Sequence, residues 1–233
     1  MERNDRQWHP GTPMGYRDQI VTGDARELAK RIPDESVDLI YTDPPYPLEF
    51  IGIFDDLAKY GSRVLKHGGS LLSLCGHNGL PQILRFMEEC LDYVWLCGMG
   101  HGGRNAPVWP IKTWAFWKPM IWFARGKPRI QNWMQDFYRP RSPDKRFHKW
   151  GQAAEHAVYY VEHMTNPGDI ILDPFTGGGT VPAVCKMLDR HYIAFEIDPE
   201  VAETARKRVY NAQPSLPMEV PIQDSWAGKE DTT

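Results

Sequence analysis

Short apolar runs separated by stretches with helical spacing recur along the chain, and that alternation restricts the fold more than any other feature of the sequence. Ile20-Val21, Ser36 to Tyr41, Ser70 to Cys75, Tyr93 to Cys97, Met120 to Ala124, Ile170-Ile171-Leu172 and Tyr192 to Glu196 read as strands, buried on both faces where the run is unbroken. Between them the spacing predicts helices over Ala25 to Ile32, Phe50 to Leu65 with a stop at Gly68-Gly69, Pro81 to about Cys90, Ala153 to Met164, Val181 to Leu188, and Asp198-Pro199 to about Asn211. Strands and helices in this rhythm predict an α/β fold, a mostly parallel sheet with right-handed crossovers. A length of 233 residues is enough for one domain with a full core. We expect an irregular arm over 1–19, one domain over 20–212 that carries an insertion at about 101–150, and a poorly ordered polar tail over 213–233.

The insertion is defined by charge. The whole chain carries −3, which by itself points to no polyanionic partner, yet residues 101–150 hold eleven basic side chains against two acidic ones, a local +9. Six of the nine tryptophans, at 109, 114, 117, 122, 133 and 150, fall in the same window. Basic residues with interleaved aromatics suit a nucleic-acid surface; a solvated face and core packing are the plainer uses, and Trp122 and Phe123, in a strand run, read as core. The four cysteines, Cys75, Cys90, Cys97 and Cys185, have no metal-ligand spacing and read as reduced thiols of a cytoplasmic protein, with no zinc site. No apolar run approaches the length of a membrane span, and the charged first residues do not form a signal peptide.

The run ending at Tyr41 is followed at once by Thr42-Asp43-Pro44-Pro45-Tyr46. Two prolines end a strand and stiffen the turn, so Asp43 belongs at a strand's carboxyl end, where open α/β sheets bind ligands. Such a turn offers a carboxylate, the Pro44 carbonyl and the Tyr46 ring to whatever enters. It also serves simply to stop a strand.

Asp173-Pro174-Phe175-Thr176-Gly177-Gly178-Gly179-Thr180 lies between a strand and a helix, the place of ligand loops in doubly wound folds. It is neither a dinucleotide fingerprint nor a P-loop, since no lysine follows the glycines and the first position is acidic. A carboxylate there repels phosphate and suits a cationic ammonium group. The next strand ends in Glu196, placed to hold two ribose hydroxyls. Ribose, ammonium and no phosphate describe S-adenosylmethionine.

The two motifs together, Asp43-Pro44-Pro45-Tyr46 and then Asp173 to Thr180, resemble the S-adenosylmethionine-dependent DNA amino-methyltransferases, which methylate adenine N6 or cytosine N4. With the tetrapeptide first, the order is similar to the permuted β group of that family, and His148-Lys149-Trp150-Gly151-Gln152 resembles a segment of small phage-type adenine enzymes. Gly178 departs from the serine often found there. The resemblance implies a Rossmann-like methyltransferase sheet with a short inserted target-recognition region. It implies that Asp173, Phe175, Gly177, Gly178, Gly179 and Thr180 meet the methionine part of the cofactor, Glu196 the ribose, and Asp24 the cofactor's adenine. Trp150 and Gln152 would approach from the segment before the helix. Asp24 equally fits the N-cap of the first helix.

By the same resemblance Asp43, Pro44, Pro45 and Tyr46 are the catalytic residues, and no metal is needed. The Asp43 carboxylate and Pro44 carbonyl grip the two N–H bonds of an exocyclic amine, and Tyr46 stacks on a base flipped out of double-stranded DNA. Asp at the first position favours adenine. Cytosine N4, RNA, a protein amide, or a non-catalytic DNA-binding module are the competing readings, and monomer and homodimer are both open.

Overall fold

In the computed structural model, which describes residues 15–100, 106–109, 111–130, 133–139 and 153–213, helices alternate with strands as the apolar runs require. In chain order the elements are β1 (Gln19–Thr22), α1 (Ala25–Ala29), β2 (Val37–Thr42), α2 (Ile53–Val64), β3 (Leu65–Leu74), α3 (Leu80–Glu88), β4 (Asp92–Gly100), β5 (Ala106–Val108), β6 (Thr113–Ala115), β7 (Trp117–Ala124), β8 (Phe137–Tyr138), α4 (Ala153–Met164), β9 (Ile170–Asp173), α5 (Thr180–Met187), β10 (His191–Glu196) and α6 (Pro199–Asn211). Among the described residues eight strands form one sheet in the order β1-β10-β9-β2-β3-β7-β4-β8, and β5 pairs with β6 in a separate hairpin.

Strands β1, β10, β9, β2 and β3 run parallel. From β9 the chain winds outward through α5 to β10; from β2 it winds the other way through α2 to β3. The order therefore reverses between β9 and β2, the position at which an open α/β sheet forms its ligand crevice. One layer of helices, α1 to α3, buries Ala29, Phe54, Leu57, Val64 and Ile83 against one face of the sheet; α4 and α5 bury Ala157, Tyr160, Val161 and Val184 against the other. α6 completes that second layer at the β1 edge through Ala202, Ala205 and Val209.

The sheet departs from the sequence-based expectation at three places. β7 is antiparallel to both neighbours, β3 and β4. The described residues between β4 and β7 form the β5–β6 hairpin and no crossover helix, and without a crossover a strand can return only antiparallel. The hairpin and β8 are strands that the spacing did not predict. Gly68-Gly69 does not end α2, which passes directly into β3. Gly68, at φ +82°, is a bulge whose N–H bonds Arg125 O at 2.7 Å. A Cβ on Gly69 would meet Lys66 O at 2.9 Å, so backbone crowding accounts for that glycine. Trp122 and Phe123 are buried, as expected of core residues, and Trp122 Nε1–H donates to Ser70 Oγ at 3.1 Å. All four cysteines are free thiols. Among the described residues no group of three or more His, Cys, Asp or Glu is disposed to hold a metal, and no helix is long and apolar enough to cross a membrane.

Candidate active site

Because Leu39 lies opposite Ile171 and Ile40 opposite Leu172, the segments that follow β2 and β9 leave the sheet side by side. The buried Thr42 hydroxyl donates to Asp173 Oδ1 at 2.8 Å, so one hydrogen bond joins the two motifs across 131 positions of sequence. The neighbouring strands extend the pattern. Thr22 of β1 is opposite Glu196 of β10, Ala194 is opposite Asp173, and Gly23 N–H bonds Glu196 O at 2.9 Å. Asp24, Glu196, Asp173 and Asp43 thus stand at the carboxyl ends of four adjacent parallel strands.

Their environments differ. Asp173 is 3% exposed, and burial pushes its pKa up to about 7. Thr42 and the Phe175 N–H, at 3.3 Å, oppose that rise. Thr176, whose buried hydroxyl makes no hydrogen bond of full geometry, is near enough to act in the same direction. Asp43 keeps solvent-accessible surface on the crevice wall, but the protein crowded around it still raises its pKa. Tyr46 donates its hydroxyl to Asp43 and Lys118 lies nearby, and both moderate the rise. The Tyr46 phenol is itself driven upward by burial and then by Asp43, so it remains a donor. Lys118 Nζ donates to the Tyr46 hydroxyl at 3.2 Å and sits 4.7 Å from its ring centroid. Pro44 is buried and Pro45 exposed, which fixes the turn against the sheet on one side only.

The glycine loop is shaped from behind. Gly177 (φ +48°) and Gly179 (φ +77°) occupy the left-handed region. A Cβ on Gly179 would meet Ala205 Cβ at 2.8 Å, so α6 approaches the loop too closely for a side chain. Arg208 of α6 donates to Gly178 O at 3.2 Å and to Thr180 Oγ1 at 2.8 Å. Thr176 N–H reaches Phe195 O at 2.9 Å, which ties the loop to the end of β10. Phe175 packs on the core layer of α1 to α3. Glu196 accepts the Asp198 N–H at 3.0 Å, and Asp198 caps α6.

Asp24 takes the capping role the sequence allowed. It accepts the Arg26 N–H at 2.8 Å and pairs with the Arg26 guanidinium at 2.6 Å, which holds its carboxyl below the usual range. Trp150 and Gln152, with the segment His148 to Gln152, lie outside the described residues. The structure adds groups that sequence reasoning missed: Thr42 as the link between motifs, Lys118 behind Tyr46, and Arg208 behind the loop. It also adds the buried pair Tyr41 hydroxyl and His156 Nδ1, 2.6 Å apart, beneath the tetrapeptide. Burial, and then Lys118, lower the His156 pKa to about 4. Thr42 carried a signal, a polar side chain in an otherwise apolar strand just before Asp43. Lys118 carried none beyond its charge.

A sheet of this order, reversing between two carboxylate-tipped strands and with a glycine loop after one of them, is the Rossmann-like architecture of the methyltransferases. The DNA methylase family, of the N6 and N4 type, matches residues 110–207, a span that contains the glycine loop and Glu196. The chain is 26% identical to the type II methyltransferase M.HinfI of Haemophilus influenzae over 86% of its own length and 70% of that protein's. To the type II methyltransferase M.BamHI of Bacillus amyloliquefaciens it is also 26% identical, over 79% of its own length but only 56% of the relative's. Among solved structures, the M1.HpyAVI complex with S-adenosylmethionine superposes with a TM-score of 0.65 at 26% identity, covering 82% of this chain and 98% of that one. The cytosine-N4-specific PvuII DNA methyltransferase has the same fold, with a TM-score of 0.71 at 20% identity over 82% of this chain and 85% of that one. Over residues 110–207 the chain is thus similar to the N6 and N4 DNA methylases.

Proposed function

We propose that the chain transfers the methyl group of S-adenosylmethionine to the exocyclic N6 amine of adenine at specific sites in double-stranded DNA. The observation that carries this reading is the Thr42–Asp173 hydrogen bond, which sets the acceptor tetrapeptide against the donor loop at the reversal of the sheet. The residues present fit the cofactor. Asp173 is a buried carboxylate with no cationic side chain bonded to it among the described residues, and a cationic ligand is what such a group lacks. Glu196 is partly exposed at the crevice, and Ile197 beside it, 70% exposed, offers apolar surface to a flat ring. Asp24, once its Arg26 pairing is set aside, is within the same row for an exocyclic amine.

S-adenosylmethionine, when bound, supplies an electrophilic methyl group on a sulfonium centre. The chain's own residues prepare the acceptor. An exocyclic amine conjugated to a base is a poor nucleophile, and two acceptors on its N–H bonds free its lone pair. In this reading the Asp43 carboxylate and the Pro44 carbonyl are those acceptors. Asp43 accepts more strongly when ionised, and Lys118 favours that state. The Tyr46 hydroxyl, which holds Asp43 in the free protein, gives way as the amine arrives, and its ring stacks on the flipped base. The proton lost from nitrogen passes to Asp43 or to water. Asp rather than Ser at position 43 supports adenine over cytosine, by resemblance to the adenine enzymes. A cytoplasmic monomer or homodimer goes with this reading, the four cysteines being free thiols.

DNA from cells expressing the protein, digested to nucleosides and analysed by mass spectrometry, should contain N6-methyladenine, and sequencing should place it in one short context. N4-methylcytosine in its place would move the target base and leave the donor site as described. Bound cofactor without any single-turnover transfer to DNA would reduce the chain to a binding module.

A further inference from the structure

The β5–β6 hairpin is separate from the main sheet and joins it at the end of β7 that carries Lys118. Its second strand runs through Phe116 into Trp117 and Lys118, and Lys118 contacts Tyr46. Among the described residues three pairs join its strands, Ala106 to Ala115, Pro107 to Trp114 and Val108 to Thr113. None of its described residues belongs to a core cluster. Its apolar side chains face solvent instead: Trp109 is 75% exposed, Ile111 67%, Trp114 58% and the adjoining Phe116 52%. Large apolar groups left uncovered on a thin projection mark a contact surface. Lys112 shares the tip, at φ +52° and exposed. A cation beside bare apolar tips is complementary to a duplex, whose phosphates flank stacked bases.

Resting on the DNA methyltransferase reading, we propose that Trp109 and Ile111 form a wedge that enters the base stack as the target base leaves it, with Lys112 on a neighbouring phosphate. The hairpin leads straight to the residue behind Tyr46, so a wedge at its tip and a base against Tyr46 are served by one rigid connection, β7. Partial unstacking by an apolar side chain is a known means of opening a duplex, and filling the gap keeps the extruded base from returning.

The test uses the full chain and its double variant Trp109→Ala/Ile111→Ala, with duplex oligonucleotides carrying the methylation context found by sequencing. One duplex is fully paired; in the other the target faces an abasic site, so no pair has to be broken. Because the hairpin is outside the core, the variant should melt at the wild-type temperature. Single-turnover transfer to the paired duplex should fall about ten- to a hundredfold, while transfer to the abasic-opposed duplex is retained. With 2-aminopurine at the target position, the fluorescence rise on binding should be lost in the variant. Equal losses on both duplexes, or none on either, overturn the wedge. A concentration-dependent mass in sedimentation that the variant abolishes assigns the hairpin to contact between copies of the chain, and also overturns it. Wild-type protein that methylates neither duplex fails at the methyltransferase reading itself and takes the wedge with it.

Discussion

Asp173 and Asp43 bear the same side chain at the ends of neighbouring parallel strands, yet one is sealed and the other stands open. Asp173 is enclosed by Thr42, the Phe175 N–H and the glycine loop, and burial, the largest cause, pushes its pKa up to about 7 against those hydrogen bonds. Asp43 reaches solvent, and its partners are a phenol and, through it, a lysine. The difference separates two tasks. A sealed carboxylate is stabilised by a resident cation that stays through a turnover, whereas an open one can exchange its hydrogen-bond donor when a neutral amine arrives.

The largest expected effect tests that separation directly. Asp43→Ala should lower kcat by about a thousandfold or more while the cofactor dissociation constant, followed by calorimetry, stays near the wild-type value. Loss of cofactor binding would mean that the two carboxylates share one task. Asp173→Asn should do the reverse, weakening cofactor binding about a hundredfold.

The free protein supplies a second measure of Asp173. Its folded pKa is raised, so between about pH 4 and pH 7 the folded state holds a proton that the unfolded chain has released, and this contribution to stability is lost as pH rises through that window. Asp173→Asn should therefore melt about 4 °C higher than the wild type at pH 8 in the absence of cofactor. A lower melting temperature would show that the carboxylate is satisfied by the protein alone. In the wild type, pairing with a cation requires the ionised form, so cofactor affinity should weaken below pH 7 by up to about tenfold per unit.

Thr42→Val removes the donor that couples the motifs and should weaken cofactor binding about fivefold to tenfold. Smallest is Lys118→Met. Removing a cation that favours ionised Asp43 should move the acid limb of the kcat profile to higher pH by less than about one unit, with cofactor affinity unchanged.

The carboxylate row was legible in the sequence because each member sits at the end of an apolar run or opens the loop after one. Periodicity placed β2, β9 and β10, and the motifs then followed their strands. What was not legible came from β7. Its reversed direction delivers Lys118 to the crevice and carries Arg125 and Arg129 to the other end of the sheet. There Arg125 bonds Leu65 O and pairs with Glu35, and Arg129 bonds His67 O. A charge count over 101–150 treats these residues alike. Strand direction depends on which connection lacks a helix, and the helix-free stretch before β7 gave no register of its own. Gly68-Gly69 misled for a related reason: the same dipeptide that ends a helix also makes a bulge, and only the partner strand decides between them.

Arg206 of α6 donates to Ile20 O at 2.9 Å and to Thr22 Oγ1 at 2.8 Å, fastening the last helix to the first strand. The described fold therefore closes into a loop of elements, and the position of each motif along the chain is independent of its position in space. A short linker from residue 213 to residue 15, with the chain opened between residues 139 and 153, would yield a polypeptide that reads glycine loop first and tetrapeptide second around an unaltered sheet. Motif order along this chain then leaves the place of each motif in the sheet unchanged.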